Sequence, residues 1–69
     1  MKILIFGGKG FLGLELAKEL VNLGHNVTIF DKNIKRKTFN KIKAISGDIL
    51  NSKSLDKAVK KKDIVFNFA

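Results

Sequence analysis

Glycines end the first apolar segment of the chain at a spacing that can bind phosphate. The run 2–6 (Lys-Ile-Leu-Ile-Phe) is followed by glycines at positions 7, 10 and 13. One glycine allows a sharp turn off a strand, a second lets the backbone approach a pyrophosphate, and a third brings helix and strand together. Unpaired N–H groups at the helix N-terminus then attract the anion. Gly7, Gly10 and Gly13 therefore predict a dinucleotide pyrophosphate site, although a glycine-rich turn without a ligand is the alternative.

A carboxylate after the next apolar segment supplies a second binding group. Asp31 follows the β-prone residues 26–30 and comes about 20 residues after the glycine turn, as the dinucleotide fingerprint requires. At such a strand end, a carboxylate accepts hydrogen bonds from the adenosine ribose hydroxyls. Asp31 would repel a ribose 2′-phosphate, which favours NAD over NADP. The neighbouring cations Lys32, Lys35 and Arg36 favour NADP instead, so NADP remains the second choice.

The elements that position these groups follow from the apolar periodicity. Strands are predicted at 2–6, 26–30, 42–45 and 64–69, with helices at 11–23 and from an N-cap at Asn51 or Ser52 to about Lys61. The polar residues 32–41 are too short for a usual crossover, so they predict an irregular loop or a single helical turn. The fold class is therefore α/β, with residues 1–69 forming a Rossmann-like open parallel sheet. About four strands in the order 3-2-1-4 accompany the two helices.

Each predicted helix has an apolar stripe that should face the sheet. In the first helix, leucines recur at steps of four, four and three, and two smaller residues widen the stripe: Leu12, Leu16, Leu20 and Leu23, with Ala17 and Val21. In the second helix the stripe comprises Leu55, Ala58 and Val59. Lys60, Lys61 and Lys62 fall in its predicted last turn, where positive charge complements the helix dipole.

The glycine-rich stretch resembles a known family. Phe-Gly-Gly-Lys-Gly-Phe-Leu-Gly at 6–13 resembles the Thr-Gly-Gly-x-Gly-Phe-Ile-Gly opening of the extended short-chain dehydrogenase/reductase family, which includes NAD-dependent sugar-nucleotide epimerases and dehydratases. Phe6 stands where many members have Thr. Gly-Asp-Ile at 47–49 resembles a second family signature, which implies that Asp48 bonds the adenine amino group and Ile49 packs near the ring. The final strand resembles Asp-x-Val-x-His-Leu-Ala-Ala but has Asn67 and Phe68 at the His and Leu positions.

The fingerprint and the resemblance together assign one set of residues to the cofactor. The set is Gly7, Gly10, Phe11, Leu12, Gly13, Asp31, Lys32, Asp48, Ile49, Phe68 and Ala69. No catalytic residue and no metal ligand is assigned. The family's Tyr-x-x-x-Lys pair is missing from this sequence, which contains no tyrosine.

Composition and charge restrict the remaining classes of protein. The 14 Lys and Arg residues exceed the 6 Asp and Glu residues, for a formal net charge of +8. Such a charge can attract nucleic acid, but no nucleic-acid-binding signature accompanies it, and a solvated lysine-rich surface explains it more simply.

Cysteine is absent, which excludes disulfides. No apolar run approaches the ~20 residues of a membrane-spanning helix, and we expect a cytoplasmic protein.

The glycine turn and Asp31 predict a dinucleotide-binding fold, and the family resemblance implies the N-terminal NAD(P)-binding portion of a longer epimerase/dehydratase-like oxidoreductase, which would act on nucleotide sugars when complete. A stand-alone nucleotide-binding regulatory module is the first alternative. A basic nucleic-acid-binding protein is the second. In the predicted order the fourth strand leaves one edge open, so it should pair with the remainder of the enzyme or with a second copy of the chain.

Overall fold

A computed structural model describes residues 1–7, 11–32, 34, 38–39, 41–48 and 50–68, with the backbone alone at 11, 38 and 39. The elements are β1 (Lys2–Phe6), α1 (Phe11–Asn22), β2 (Asn26–Asp31), β3 (Thr38–Phe39), β4 (Ile42–Ser46), α2 (Ser52–Val59) and β5 (Ile64–Asn67). None of the helices in these ranges is long and apolar enough to cross a membrane.

The sheet has the order β3-β4-β2-β1-β5. Its four longer strands run parallel, which confirms the predicted order 3-2-1-4. The extra strand β3 was not predicted; it pairs antiparallel with β4, within the segment expected to be a loop or a helical turn. Lys41 leads into β4 at a φ of 64°, the left-handed conformation that tight hairpin turns need. A two-residue strand has no periodicity that the sequence could show.

Apolar residues alternate between the two faces of the sheet. Ile3, Ile5, Val27 and Ile29 pack towards α1, whereas Leu4, Phe6 and Phe30 pack towards α2. Strands covered on both faces read as continuous apolar runs, as β1 does. The two helices therefore lie on opposite faces of one parallel sheet.

The buried face of α1 differs from the predicted leucine stripe. Gly13 and Ala17 are buried, and Leu14, Leu16, Leu20 and Val21 pack around the core on that side. Leu12 is 69% exposed and Leu23 is 66% exposed, so assigning these two to the stripe was wrong. The small residues Gly13 and Ala17, four apart, define the line of closest approach to the sheet. Leu12 lies one position off that line, and Leu23 lies beyond the helix end.

The second helix begins where predicted and ends earlier. Asn51 is the N-cap, and its side-chain oxygen accepts a hydrogen bond from the Ser54 amide at 3.1 Å. The helix ends at Val59, which is 37% exposed rather than part of the buried stripe. Lys61 has a φ of 60°, outside the helical region, so the lysines at 60–62 follow the helix instead of forming its last turn.

Candidate functional site

The carboxyl ends of the four parallel strands meet along one edge of the sheet. Three backbone hydrogen bonds extend the strand pairing there: Gly7 N to Phe30 O (2.9 Å), Gly47 N to Asp31 O (3.0 Å) and Phe68 N to Phe6 O (2.8 Å). These bonds place residues from four separate parts of the sequence next to one another. In open α/β sheets, ligands bind outside the carboxyl ends of the strands.

Two of the three glycines of the fingerprint, Gly7 and Gly13, lie within the described residues. Gly7 directly follows β1 and has a φ of 75°, which favours glycine over any residue with a Cβ. The helix α1 begins at Phe11, and Gly13 is buried in its first turn. The predicted roles of the first and third glycines, sharp turn and close helix packing, match these features. Gly10 lies outside the described residues.

Asp31 lies beside this turn. It is the last residue of β2, and the pairing of Phe6 with Phe30 puts it next to Gly7 along the edge. It continues the alternate series of Val27 and Ile29, whose side chains face α1. Its Oδ1 accepts a hydrogen bond from the Lys32 amide at 2.7 Å, which orients the carboxylate. The arrangement puts an anionic acceptor on the same face of the sheet as the helix that follows the glycine turn.

A second carboxylate joins the site from the loop after β4. Asp48 Oδ1 accepts a hydrogen bond from the Leu50 amide at 2.9 Å, and its Oδ2 lies 3.7 Å from Lys32 Nζ. Both side chains are substantially exposed, so the ion pair contributes little to stability. It does direct the Lys32 ammonium towards Asp48. The three predicted residues Asp31, Lys32 and Asp48 are thus neighbours, although the sequence places Asp48 in a different loop.

Gly47 has a structural role that sequence reasoning missed. A Cβ at this position would lie 2.7 Å from Cζ of Phe30, whose side chain is completely buried. Phe30 in turn packs edge-on against Phe6, with ring centroids 5.4 Å apart. The aromatic pair forms the floor beneath the carboxyl edge, and only glycine fits above it. The sequence signal that could have indicated this role was a glycine close after the third predicted strand.

The remaining predicted cofactor-binding residues are Phe11, Leu12, Ile49, Phe68 and Ala69. Phe68 lies at the edge beyond β5 and is 46% exposed. Leu12 is exposed on α1, and the backbone of Phe11 begins that helix. Ile49 and Ala69 lie outside the described residues.

The chain is similar to known proteins in both sequence and fold. The model of the NAD-dependent epimerase/dehydratase family matches residues 3–69. A UDP-N-acetyl-α-D-glucosaminuronate decarboxylase of Bacillus cytotoxicus is 40% identical over 74 residues, covering 99% of this chain and 23% of the relative. An epimerase from Methanothermobacter thermautotrophicus superposes with a TM-score of 0.85 at 31% identity, covering 99% of this chain and 22% of that one. A UDP-galactose 4-epimerase superposes with a TM-score of 0.81 at 32% identity, covering 100% of this chain and 24% of that one.

The chain therefore spans about a quarter of the length of these relatives. Within that span the strand order is that of the Rossmann-like fold predicted from the sequence. The family match extends over nearly every residue, from the first strand to the last. The chain belongs to the NAD-dependent epimerase/dehydratase family.

Proposed function

We propose that the carboxyl edge of the sheet binds the adenosine diphosphate part of NAD. The observation that carries this proposal is the position of Asp31 beside Gly7, with α1 beginning a few residues later. The N-terminus of α1 would bind the pyrophosphate, Asp31 would accept hydrogen bonds from the adenosine ribose, and Asp48 with Ile49 would contact the adenine. When bound, NAD supplies hydride exchange, and the residues of this chain bind and orient it.

The proposal extends to the complete enzyme in which such a portion would act. Two of the relatives are named for UDP-sugar substrates, and the family is NAD-dependent. We therefore propose an oxidoreductase of the epimerase/dehydratase type that acts on nucleotide sugars, with residues 1–69 as its N-terminal cofactor-binding portion. The chain contains no tyrosine, so a Tyr-x-x-x-Lys pair would have to come from residues outside it. A cytoplasmic location is part of the same proposal.

Asp31 should determine the choice between NAD and NADP. Its carboxylate would hydrogen-bond the ribose hydroxyls of NAD and repel the 2′-phosphate of NADP. Lys32 contributes little counter-charge, because its ammonium lies near Asp48. Changing Asp31 to Asn should weaken NAD binding about tenfold to a hundredfold, since hydrogen bonds to charged groups contribute about 1.5–3 kcal/mol. Isothermal titration calorimetry with both cofactors would measure this.

Asp56→Asn is the matched control for this test, because it removes one carboxylate from the exposed surface of α2. It should leave both affinities unchanged within about twofold, as expected for a screened surface charge. Tighter binding of NADP than of NAD by the unaltered chain would contradict the role given to Asp31.

We further propose that the outer edge of β5 pairs with another β-strand, from the remainder of the enzyme or from a second copy of the chain. β5 ends the strand order, so among the described residues one of its edges has no neighbouring strand. Val65 of β5 is 46% exposed, and so is Phe68, which directly follows the strand. An exposed edge with apolar side chains is a template for strand addition.

The chain alone should therefore self-associate, and more strongly as salt increases. The net charge of +8 opposes association, and added salt screens it over a Debye length of about 10 Å at 0.1 M. Sedimentation velocity across a salt series would measure the effect. Val65→Lys should reduce association, because charge on an edge strand disfavours pairing; Val59→Lys, on the exposed side of α2, is the control. A cooperatively folding monomer at every ionic strength would contradict the prediction.

A further inference from the structure

The amino ends of the parallel strands, opposite the ends that carry Gly7 and Asp31, border an open cleft of about 380 Å³. Four lysines line it, together with an amide and a hydroxyl side chain: Lys2, Lys41, Lys43 and Lys62, with Asn26 and Thr28. The volume falls in the range of small-molecule sites, about 300–1,000 Å³. The cleft lies at the end of the strands away from Gly7 and Asp31, so it is separate from the proposed dinucleotide site.

The sheet register brings these side chains together. Lys2 pairs with Asn26 across β1 and β2, and Thr28 pairs with Lys43 across β2 and β4. Lys2, Asn26, Thr28 and Lys43 all lie on the same face of the sheet as α2. The helix packs nearer the carboxyl ends, over Leu4, Phe6 and Phe30. The amino-terminal half of this face is therefore left uncovered by the described residues, and the lysines surround it.

The positive charges of the cleft act on one another. The pKa of Lys62 is lowered, first by partial burial and then by repulsion from Lys43 and Lys2. Among the described residues, none of the four lysines has a carboxylate within 4.0 Å. The adjacent acid, Asp63, uses its Oδ2 to accept a hydrogen bond from the Lys2 amide at 2.8 Å. The Asp63 carboxylate therefore lies at the margin of the cleft, but among the described residues it forms no ion pair within 4.0 Å with any of the four ammonium groups.

We propose that this cleft binds a small polyanion that carries several phosphate charges, such as a linear oligophosphate. Ammonium groups bind phosphate as point charges, and the Asn26 amide and Thr28 hydroxyl add neutral donors. The lysines surround one concave site rather than forming a stripe along the surface. No aromatic side chain is among the described residues that line the cleft, whereas single-stranded nucleic acids are held by aromatic stacking. These features favour a compact phosphate ligand over a nucleic acid.

Tripolyphosphate titrated into the chain by calorimetry, with and without saturating NAD, tests the proposal. Lys43→Gln combined with Lys62→Gln should weaken binding about tenfold, because the variant removes two of the four ammonium groups that would contact the phosphates. Lys53→Gln combined with Lys57→Gln is the matched control, because it removes the same charge from exposed positions of α2. The control should change binding by less than about twofold. Saturating NAD should leave the tripolyphosphate affinity unchanged.

The side chain of Lys62 allows binding to be measured directly at the cleft. Its pKa, followed by NMR of the side-chain Cε, should rise when tripolyphosphate binds, because a nearby anion favours the charged ammonium. The Cε chemical shift of Lys53, on the exposed surface of α2, should not change when tripolyphosphate is added. Unaltered Lys62 titration in the presence of bound tripolyphosphate would overturn the proposal.

Three calorimetric outcomes would also overturn it. Equal weakening in the cleft and control variants would show attraction to the net charge alone. Binding that NAD displaces, and that the cleft variants leave unchanged, would place tripolyphosphate at the α1 N-terminus. Tighter binding of a deoxythymidine decanucleotide, with the same dependence on Lys43 and Lys62, would replace the small polyanion with a nucleic-acid backbone. Failure of NAD binding would contradict the dinucleotide proposal without affecting this test.

Discussion

Replacing Gly10 with valine should reduce NAD affinity by at least about 100-fold while leaving the chain folded. Gly10 is the middle glycine of the fingerprint, the one that lets the backbone approach the pyrophosphate. A branched side chain there would keep the phosphates from the amide groups of the turn. Loss of two charge-assisted hydrogen bonds, at about 1.5–3 kcal/mol each, gives an effect of this size or larger.

Calorimetric titration with NAD measures the loss, and circular dichroism checks that the variant folds. Asn22→Val is the matched control, because it places the same side chain at an exposed position, the last residue of α1. It should bind NAD like the unaltered chain. An unchanged NAD affinity in folded Gly10→Val would show that the glycine turn does not hold the pyrophosphate.

Replacing Gly47 with alanine should destabilise the fold by about 1–3 kcal/mol, the usual effect of overpacking a core. The new Cβ would lie 2.7 Å from Phe30 Cζ, closer than non-bonded carbons approach. Phe30 cannot move aside easily, because it is completely buried and packs edge-on against Phe6. The change should therefore lower the free energy of unfolding measured by urea titration.

Two further variants separate overpacking from other causes. Ser46→Ala changes the exposed neighbour and should alter stability by less than about 0.5 kcal/mol. Phe30→Leu removes the ring that the new Cβ would strike, so it should destabilise the Gly47→Ala chain less than it destabilises the unaltered chain. Additive effects of the two substitutions would contradict the packing explanation for Gly47.

The sequence by itself determined the architecture, namely the four parallel strands, their order and the two helices. Long apolar runs predicted the four parallel strands, and the glycine turn, with Asp31 after the next strand, predicted their arrangement around a nucleotide site. The strand order 3-2-1-4 and both helices are confirmed. These features were predictable because apolar periodicity and glycine conformation are properties of neighbouring residues. The assignments of individual residues to NAD stay predictions.

Only the tertiary structure decided which residues separated in sequence come into contact. It placed Leu12 in solvent, formed the short strand β3, and set Gly47 against Phe30. It also paired Lys32 with Asp48 and gathered the lysines of the amino-edge cleft. Helix rotation, strand register and side-chain packing depend on the whole sheet, and a one-residue change in register moves a side chain to the other face. Periodicity within one segment carries no information about these contacts.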